Sequence, residues 1–258
     1  MQLRIIGFLV CIVATFTAPA QAEFVRVPSR PGITVPIAIE PPNGPAAAWA
    51  LLFVGGDGAL NLSDAGAPRS ALSSVYVIRS RQHLTAAGIG VVVVDMPGGA
   101  GGNPLFRRSP EHMADVGAVV RTIRQRFNRP VWIVGHSNGA ITAGNAARSL
   151  SGAERPDGLV ITSGTNLHGR RDRPVNPFPY TGAVLVIAHE NDGCSYSPPS
   201  DAPKLHAAFA SARPATLRMF TGGSGLRGDP CFGSSYHSFI GIEAQVMAAI
   251  AAFIRNPR

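Results

Sequence analysis

The sequence of 258 residues contains little charge and no long apolar run beyond its first residues. Charged residues make up 15% of the chain and aromatic residues 7%, while 45% of the residues are hydrophobic. An apolar fraction this high argues against a disordered chain. The lack of further apolar runs argues against a membrane-spanning protein. The length fits one large α/β domain or two small ones, with a sizeable core in either case.

Lysine is nearly absent, since Lys204 is the only lysine among 23 basic residues. The formal net charge is +8, yet the arginines are spread along the chain and form no long block. Scattered charge is weak support for nucleic-acid binding, because a binding surface concentrates basic side chains. The sequence therefore predicts no nucleic-acid partner.

Motifs for nucleotide cofactors and for zinc are also missing. The glycine-rich stretches at residues 55–58 and 98–102 are not followed by Lys-Ser or Lys-Thr, and no G-x-G-x-x-G opens a helix after a first strand. No histidine spacing resembles the zinc motif H-E-x-x-H. We therefore predict neither an organic cofactor nor a metal ion, and we interpret the glycine-rich stretches as tight turns.

Residues 1–22 have the pattern of a secretory signal peptide. Arg4 supplies the positive start, residues 5–16 form an apolar stretch too short to cross a bilayer comfortably, and Ala20-Gln21-Ala22 fits a peptidase site. Cleavage there starts the mature chain at Glu23 and leaves residues 23–258 as a single domain. An uncleaved N-terminal anchor is the alternative. We expect cleavage, a secreted, periplasmic protein and no stable membrane insertion afterwards.

Cysteine is scarce, with three in the whole chain. Cys11 lies in the signal, so export leaves Cys194 and Cys231, an even number in an oxidising compartment. We expect a disulfide between them, and closing this loop restricts the unfolded chain by roughly 4 kcal/mol in the entropy model. Two buried free thiols are the alternative.

Short apolar runs alternate with helical patterns along the mature chain. Residues 90–95 contain four consecutive valines, which is typical of a strand covered on both faces. The alternation predicts a mostly parallel sheet with helices on both faces, in which ligands bind at the carboxyl ends of the strands. Strands are predicted at residues 24–27, 33–39, 50–54, 90–95, 131–134, 159–163, 183–188 and 215–220, and helices at 68–87, 110–127, 138–150, 201–212 and 239–255.

One strand end carries a candidate nucleophile. Gly135-His136-Ser137-Asn138-Gly139 follows the strand at 131–134 and precedes a helix, which is the setting that G-x-S-x-G requires. Ser137 must occupy a tight, strained turn, so larger side chains at Gly135 and Gly139 would collide with neighbouring chain. The turn lifts the serine hydroxyl clear of the sheet and places it at a helix N-terminus.

A serine hydroxyl needs a base, and the base needs a third group to hold it. Asp192 lies just beyond the strand at 183–188, and His237 lies in a loop between the last strand and the last helix. The order Ser, Asp, His along the chain is the one expected for this topology. Asp95 and Glu190 are weaker candidates for the acid.

These residues make the chain resemble the α/β-hydrolase superfamily over nearly all of its mature length. The resemblance implies an α/β-hydrolase fold, with Ser137 as nucleophile, His237 as general base and then acid, and Asp192 as the carboxylate that orients the histidine. It also implies an oxyanion hole formed by the backbone N–H of Asn138. The second donor would come from the loop after the strand at 50–54, at Gly56 or Asp57, where relatives often have His-Gly.

The surroundings of the site are predicted from two further loops. Residues 165–181 lie where many relatives insert a helical lid, but they are short and rich in proline, which favours an open site. Several arginines follow strand ends. One interpretation is a cationic rim that attracts anionic substrates, and the other is that these arginines lie there by chance. These arginines are Arg107, Arg108, Arg170, Arg171 and Arg173.

The sequence therefore predicts a serine hydrolase that acts on carboxylic esters through an acyl-enzyme. Small-molecule esters or the ends of polymer chains are the expected substrates. The same three residues could also hydrolyse amides or peptides, or transfer an acyl group to another acceptor. A non-catalytic binding protein on the same fold is a further alternative.

Overall fold

The computed structural model describes residues 22–99, 103–164, 178–224 and 228–258. The signal-peptide prediction, the arginines at 170, 171 and 173 and most of the loop at 165–181 lie outside the described residues. Eight strands form one sheet. They are β1 (Glu23–Arg30), β2 (Ile33–Glu40), β3 (Ala48–Phe53), β4 (Ile89–Val94), β5 (Val131–His136), β6 (Gly158–Thr162), β7 (Ala183–His189) and β8 (Ala215–Phe220).

The strand order in the sheet is β1-β2-β4-β3-β5-β6-β7-β8. The hairpin of β1 and β2 pairs antiparallel at one edge, and all pairs from β4 to β8 are parallel. The mostly parallel sheet predicted from the sequence is confirmed. Since β5 lies between β3 and β6, its carboxyl end is at the centre of the edge where ligands bind in such sheets.

Helices cover both faces of the sheet, and on each face an apolar cluster lies between the sheet and the helices. One cluster lies beneath α3 (Pro110–Phe127), α4 (Gly139–Ser149) and α5 (Ala202–Ala208). The other lies beneath α1 (Tyr76–Arg79), α2 (Gln82–Ala86) and α6 (Glu243–Arg255). The valines of β4 are divided between the two clusters, which is why the sequence shows them without alternation.

The start of α3 follows the sequence signal closely. The Ser109 hydroxyl accepts a hydrogen bond from the backbone N–H of His112, and Pro110 occupies the first helical position. Asn128 ends the helix in the left-handed conformation, with φ of 48°. The residues at its two ends therefore fix where this helix begins and where it ends.

Three helix predictions were wrong in extent. Residues 68–87 form a 3-10 turn followed by the short α1 and α2, because Val75 is extended and interrupts the helical path. The helix predicted at 201–212 ends at Ala208. The last helix begins at Glu243 rather than at 239, because Phe239 and Gly241 have positive φ angles that a helix does not accommodate.

Within the described residues, the segment Tyr236–Arg255 is long and apolar enough to cross a membrane by composition. More than half of it is buried, and its helical part α6 packs into one of the two apolar clusters. Its apolar character is therefore that of a core helix.

Candidate active site

The turn at residues 135–139, which we name the nucleophile turn because it carries the candidate nucleophile Ser137, lies at the carboxyl end of β5, where the sequence predicted it. Ser137 has a φ of 55°, the left-handed region that costs a non-glycine residue about 1–3 kcal/mol. A Cβ at Gly139 would collide with the carbonyl oxygen of Phe53, and one at Gly135 would collide with that of Gly139. The two glycines are therefore needed because the backbone passes too closely for any side chain.

His237 and Asp192 are in direct contact. The Nδ1 atom of His237 lies 2.8 Å from Oδ2 of Asp192, and both side chains are buried. The other carboxylate oxygen, Oδ1, accepts a hydrogen bond of 2.8 Å from the backbone N–H of Cys194. Both oxygens of the carboxylate are thus occupied, which fixes its orientation toward the imidazole.

Ser197 is a third member of this contact that the sequence analysis missed. Its buried hydroxyl lies 3.0 Å from Nδ1 of His237 and 3.4 Å from Oδ2 of Asp192. The hydroxyl therefore limits how far the imidazole can swing away from the carboxylate. No motif distinguishes Ser197 in the sequence, since it lies five residues from one partner and 40 from the other.

His237 lies near the nucleophile turn. Its ring centroid is 4.8 Å from that of His136, the residue directly before Ser137. Its backbone carbonyl accepts a hydrogen bond of 2.8 Å from the hydroxyl of Ser163 at the end of β6. The Nε2 atom of His237 is buried and has no hydrogen-bond partner in the described part of the chain. That nitrogen is therefore not committed to another described residue.

Arg79 anchors the loop that carries His237, which the sequence analysis also missed. Its guanidinium donates hydrogen bonds to the carbonyls of Gly233 at 2.8 Å and Ser238 at 3.0 Å. It also pairs with Glu243 at 2.6 Å. One side chain from α1 thus joins the backbone on both sides of His237, at Gly233 and Ser238, to the start of α6.

The loop after β3, residues 55–58, lies directly against Ser137, and we name it the oxyanion loop because it carries the candidate donors Gly56 and Asp57. A Cβ placed on Gly55 would be 2.7 Å from the Cβ of Ser137. The carbonyl of Gly55 accepts from the backbone N–H of Gly58 at 3.1 Å, which closes a tight turn. The carbonyl of Gly56 accepts from the side-chain amide of Asn138 at 3.1 Å. The nucleophile turn and the oxyanion loop are therefore joined by a hydrogen bond.

Of the two interpretations of the arginines, the cationic rim does not apply to Arg107. Its side chain is fully buried beneath the oxyanion loop. The guanidinium donates to the carbonyls of Val54 at 3.0 Å and Gly56 at 3.4 Å, and to the hydroxyl of Thr142 at 3.1 Å. Burial lowers the pKa of Arg107 to about 10, so the group remains a cation at neutral pH.

Other polar residues of this region have structural partners. Asp95, a weaker candidate for the acid, accepts hydrogen bonds from the backbone N–H groups of Leu60 and Leu62 at 2.7 and 2.9 Å. The Nδ1 atom of His136 contacts the hydroxyl of Thr162 at 3.1 Å, and burial holds the pKa of His136 well below its usual value. Asp95 and His136 therefore shape the surroundings of the site.

A disulfide joins Cys194 to Cys231, with the Cα atoms 4.6 Å apart. The disulfide predicted from the sequence is confirmed. It connects the loop that carries Asp192 to the loop that leads to His237. Among the described residues, no group of three or more His, Cys, Asp or Glu side chains is arranged to hold a metal ion.

A cavity of about 540 Å³ lies over the nucleophile turn. It is bounded by the oxyanion loop, by the residues before α1 and by the two disulfide-linked loops. Ser137, Asn138, Gly56 and His237 line it, whereas Asp57 does not. The other lining residues are Gly55, Leu72, Val75, Pro104, His136, Gly193, Cys194, Ser195, Tyr196, Asp229, Pro230, Cys231 and Phe232.

Comparison with protein-family models and with curated proteins finds no match to this chain. Solved structures do match it. An α/β serine hydrolase without lid from Xanthomonas campestris aligns with a TM-score of 0.55 at 15% identity, over 93% of this chain and 95% of its own. An esterase from Pyrococcus furiosus aligns with a TM-score of 0.61 at 11% identity, over 95% and 96%.

Esterase 2 from Thermogutta terrifontis, solved after phosphonylation by sarin, aligns with a TM-score of 0.61 at 12% identity. That alignment covers 91% of this chain and 94% of the esterase. At such low identity the likeness concerns the course of the backbone, and each alignment covers more than nine tenths of this chain. The chain therefore has the α/β-hydrolase fold.

Proposed function

We propose that the protein is a serine hydrolase that cleaves carboxylic esters. The observation that carries the proposal is the arrangement around one cavity. Ser137 opens into it from a strained strand-to-helix turn, and His237 reaches the same cavity while its Nδ1 contacts the buried Asp192. A nucleophile, a base and an orienting carboxylate on three separate strand ends are what acyl transfer requires.

In the proposed reaction, the hydroxyl of Ser137 attacks the ester carbonyl and gives its proton to Nε2 of His237. The tetrahedral adduct then expels the alcohol, which takes that proton, and an acyl-enzyme forms on Ser137. Water attacks the acyl-enzyme, again giving a proton to His237, and the acid leaves as the serine is restored. Asp192 keeps the imidazole proton on Nδ1, so that Nε2 can accept.

The negative oxygen of the adduct needs two N–H donors. We assign them to Asn138, at the start of α4, and to Gly56. The carbonyl of Gly56 accepts hydrogen bonds from Asn138 and Arg107. In a planar trans peptide the N–H of Asp57 points away from that carbonyl, and so away from Asn138. The N–H of Gly56 belongs to a different peptide, whose carbonyl, that of Gly55, accepts from Gly58. The absence of Asp57 from the cavity lining supports the same assignment.

A fluorophosphonate probe tests the proposal directly. We expect one covalent adduct per folded chain, on the peptide that contains Ser137, because the probe reacts with activated serines. Intact-protein mass spectrometry and peptide mapping measure it. Ser195→Ala is the matched control, since Ser195 lines the same cavity and its loss should leave labelling unchanged. Labelling that persists in Ser137→Ala, or none in the folded wild-type chain, would exclude the proposed nucleophile.

We further propose that the protein works in an oxidising, extracytoplasmic compartment. The support is the Cys194–Cys231 disulfide together with the secretory pattern of residues 1–22. Expression of the full chain in a Gram-negative host should yield a periplasmic protein whose N-terminus is Glu23. Mass spectrometry of the periplasmic fraction measures this. A cytoplasmic chain of full length would contradict the proposal.

A further inference from the structure

Exposed apolar side chains are concentrated at the mouth of the cavity. Four large hydrophobic side chains are exposed in the described residues. Tyr196, 70% exposed, and Phe232, 51% exposed, line the cavity, and Leu105 follows the lining residue Pro104. Only Met219 lies on another part of the surface, on β8. Apolar side chains gathered around a nucleophile point to a ligand that covers them.

The disulfide joins the two loops that carry these aromatic side chains. Tyr196 lies two residues after Cys194, and Phe232 directly follows Cys231. The backbone near each is tied by a further hydrogen bond, from Ser197 N–H to the carbonyl of Cys194 at 3.1 Å and from Phe232 N–H to that of Asp229 at 3.1 Å. The two rings therefore stand on loops whose spacing is fixed before substrate binds.

Among the described residues, the cavity lining carries the charge of a single carboxylate. Asp229 is the only acidic side chain in that described lining, and it accepts a hydrogen bond from the backbone N–H of Cys231. No arginine or lysine lines the cavity in the described part of the chain, since Arg107 is buried below the oxyanion loop. A carboxylate on the substrate would face Asp229 without a described cation to balance it.

We infer that the mouth binds an uncharged aryl group of the ester, against Tyr196 and Phe232, and that Asp229 disfavours esters carrying a carboxylate. This inference rests on the proposed function and specifies its substrate class. Aromatic rings attract one another in stacked or edge-to-face contact beyond the burial of their area. Because the disulfide fixes the spacing of the loops that carry the rings, binding orders little further backbone, so the contact favours aryl esters in kcat/KM.

The test compares substrates within each variant, so that intrinsic reactivity cancels. Values of kcat/KM are measured for methyl acetate, benzyl acetate and methyl phenylacetate by titrating the released acid. The two aryl esters place the ring on the alcohol side or on the acyl side. Tyr196→Ala and Phe232→Ala should each lower the rate with at least one aryl ester about tenfold relative to methyl acetate.

Two control variants separate ring contact from general damage. Tyr196→Phe keeps the ring and should keep the preference for the aryl ester. Met219→Ala removes an exposed apolar side chain away from the cavity and should change nothing. Equal losses with all three esters, or unchanged ratios in both alanine variants, would overturn the assignment of the aryl site.

Charge is tested with two esters that share a carbon skeleton, dimethyl succinate and its monoanionic monomethyl ester. In Asp229→Asn the rate with the monoanion should rise about fivefold at low salt, and the rate with the neutral diester should stay unchanged. If the rate with the monoanion is the same in Asp229→Asn as in the wild type, Asp229 does not disfavour anionic esters. Fluorophosphonate labelling of Ser137 in every variant shows whether the proposed function itself holds when the substrate ratios fail.

Discussion

Replacing Asp192 with asparagine should lower kcat about 10⁴-fold while the fold is retained, as expected for loss of the carboxylate in a Ser-His-Asp arrangement. The direction of the effect follows from the contacts on each side of the residue. The backbone N–H of Cys194 points at Oδ1 and requires an acceptor there. The asparagine oxygen must therefore take that position, which turns its NH₂ group toward His237.

An NH₂ group facing Nδ1 makes that nitrogen an acceptor, so the imidazole proton moves to Nε2. His237 can then no longer take the proton of Ser137, because the nitrogen facing the cavity already carries one. Ser197 does not compensate, since its hydroxyl can donate to Nδ1 but leaves the proton on Nε2. The predicted defect thus arises from the wrong tautomer rather than from a misplaced ring.

Esterase kinetics and circular dichroism of the purified variant check this prediction. Asp64→Asn is the matched control, because the Asp64 side chain is 97% exposed and does not line the cavity. We expect that variant to keep wild-type kcat. A decrease of less than tenfold in Asp192→Asn would show that His237 does not depend on this carboxylate and would remove Asp192 from the mechanism.

The nucleophile turn was predictable because its causes are local. Gly135 and Gly139 flank Ser137 at fixed spacing, and the collisions that exclude larger side chains occur within the turn and with the end of β3. The pairing of Asp192 with His237 was predictable for a different reason. Parallel strands bring their carboxyl ends to one edge of the sheet, so residues that follow β7 and β8 meet there.

The residues that support the site were not predictable from their neighbours in the sequence. Ser197 belongs to the site through a contact across 40 residues, and Arg79 through contacts across more than 150. The helix predicted at 68–87 failed for a related reason. The conformation of its residues is set by packing beneath α6 and around the cavity. Leu72 and Val75 line the cavity, and Val75 has an extended backbone that a regular helix would not allow.

Arg107 shows the same limit most clearly, and its replacement by methionine should destabilise the fold by about 3 kcal/mol. The variant leaves the buried carbonyl of Val54 without this donor, and such a loss costs about 1–3 kcal/mol. The exposed carbonyl of Gly56 loses one of two donors and keeps Asn138. The melting temperature should fall by roughly 6–12 °C for a domain of this size. Urea unfolding and thermal melts measure both quantities.

The neighbouring Arg108→Met is the matched control for this prediction. Arg108 is only partly buried, and its Nε and Nη2 atoms have no hydrogen-bond partner among the described residues. Its loss should therefore change the free energy of unfolding by less than about 1 kcal/mol. If Arg107 were a surface cation, as in the rim interpretation, the two variants would have the same melting temperature and only the rates with anionic esters would change. A large loss confined to Arg107→Met would instead mark this buried cation as the support beneath the oxyanion loop.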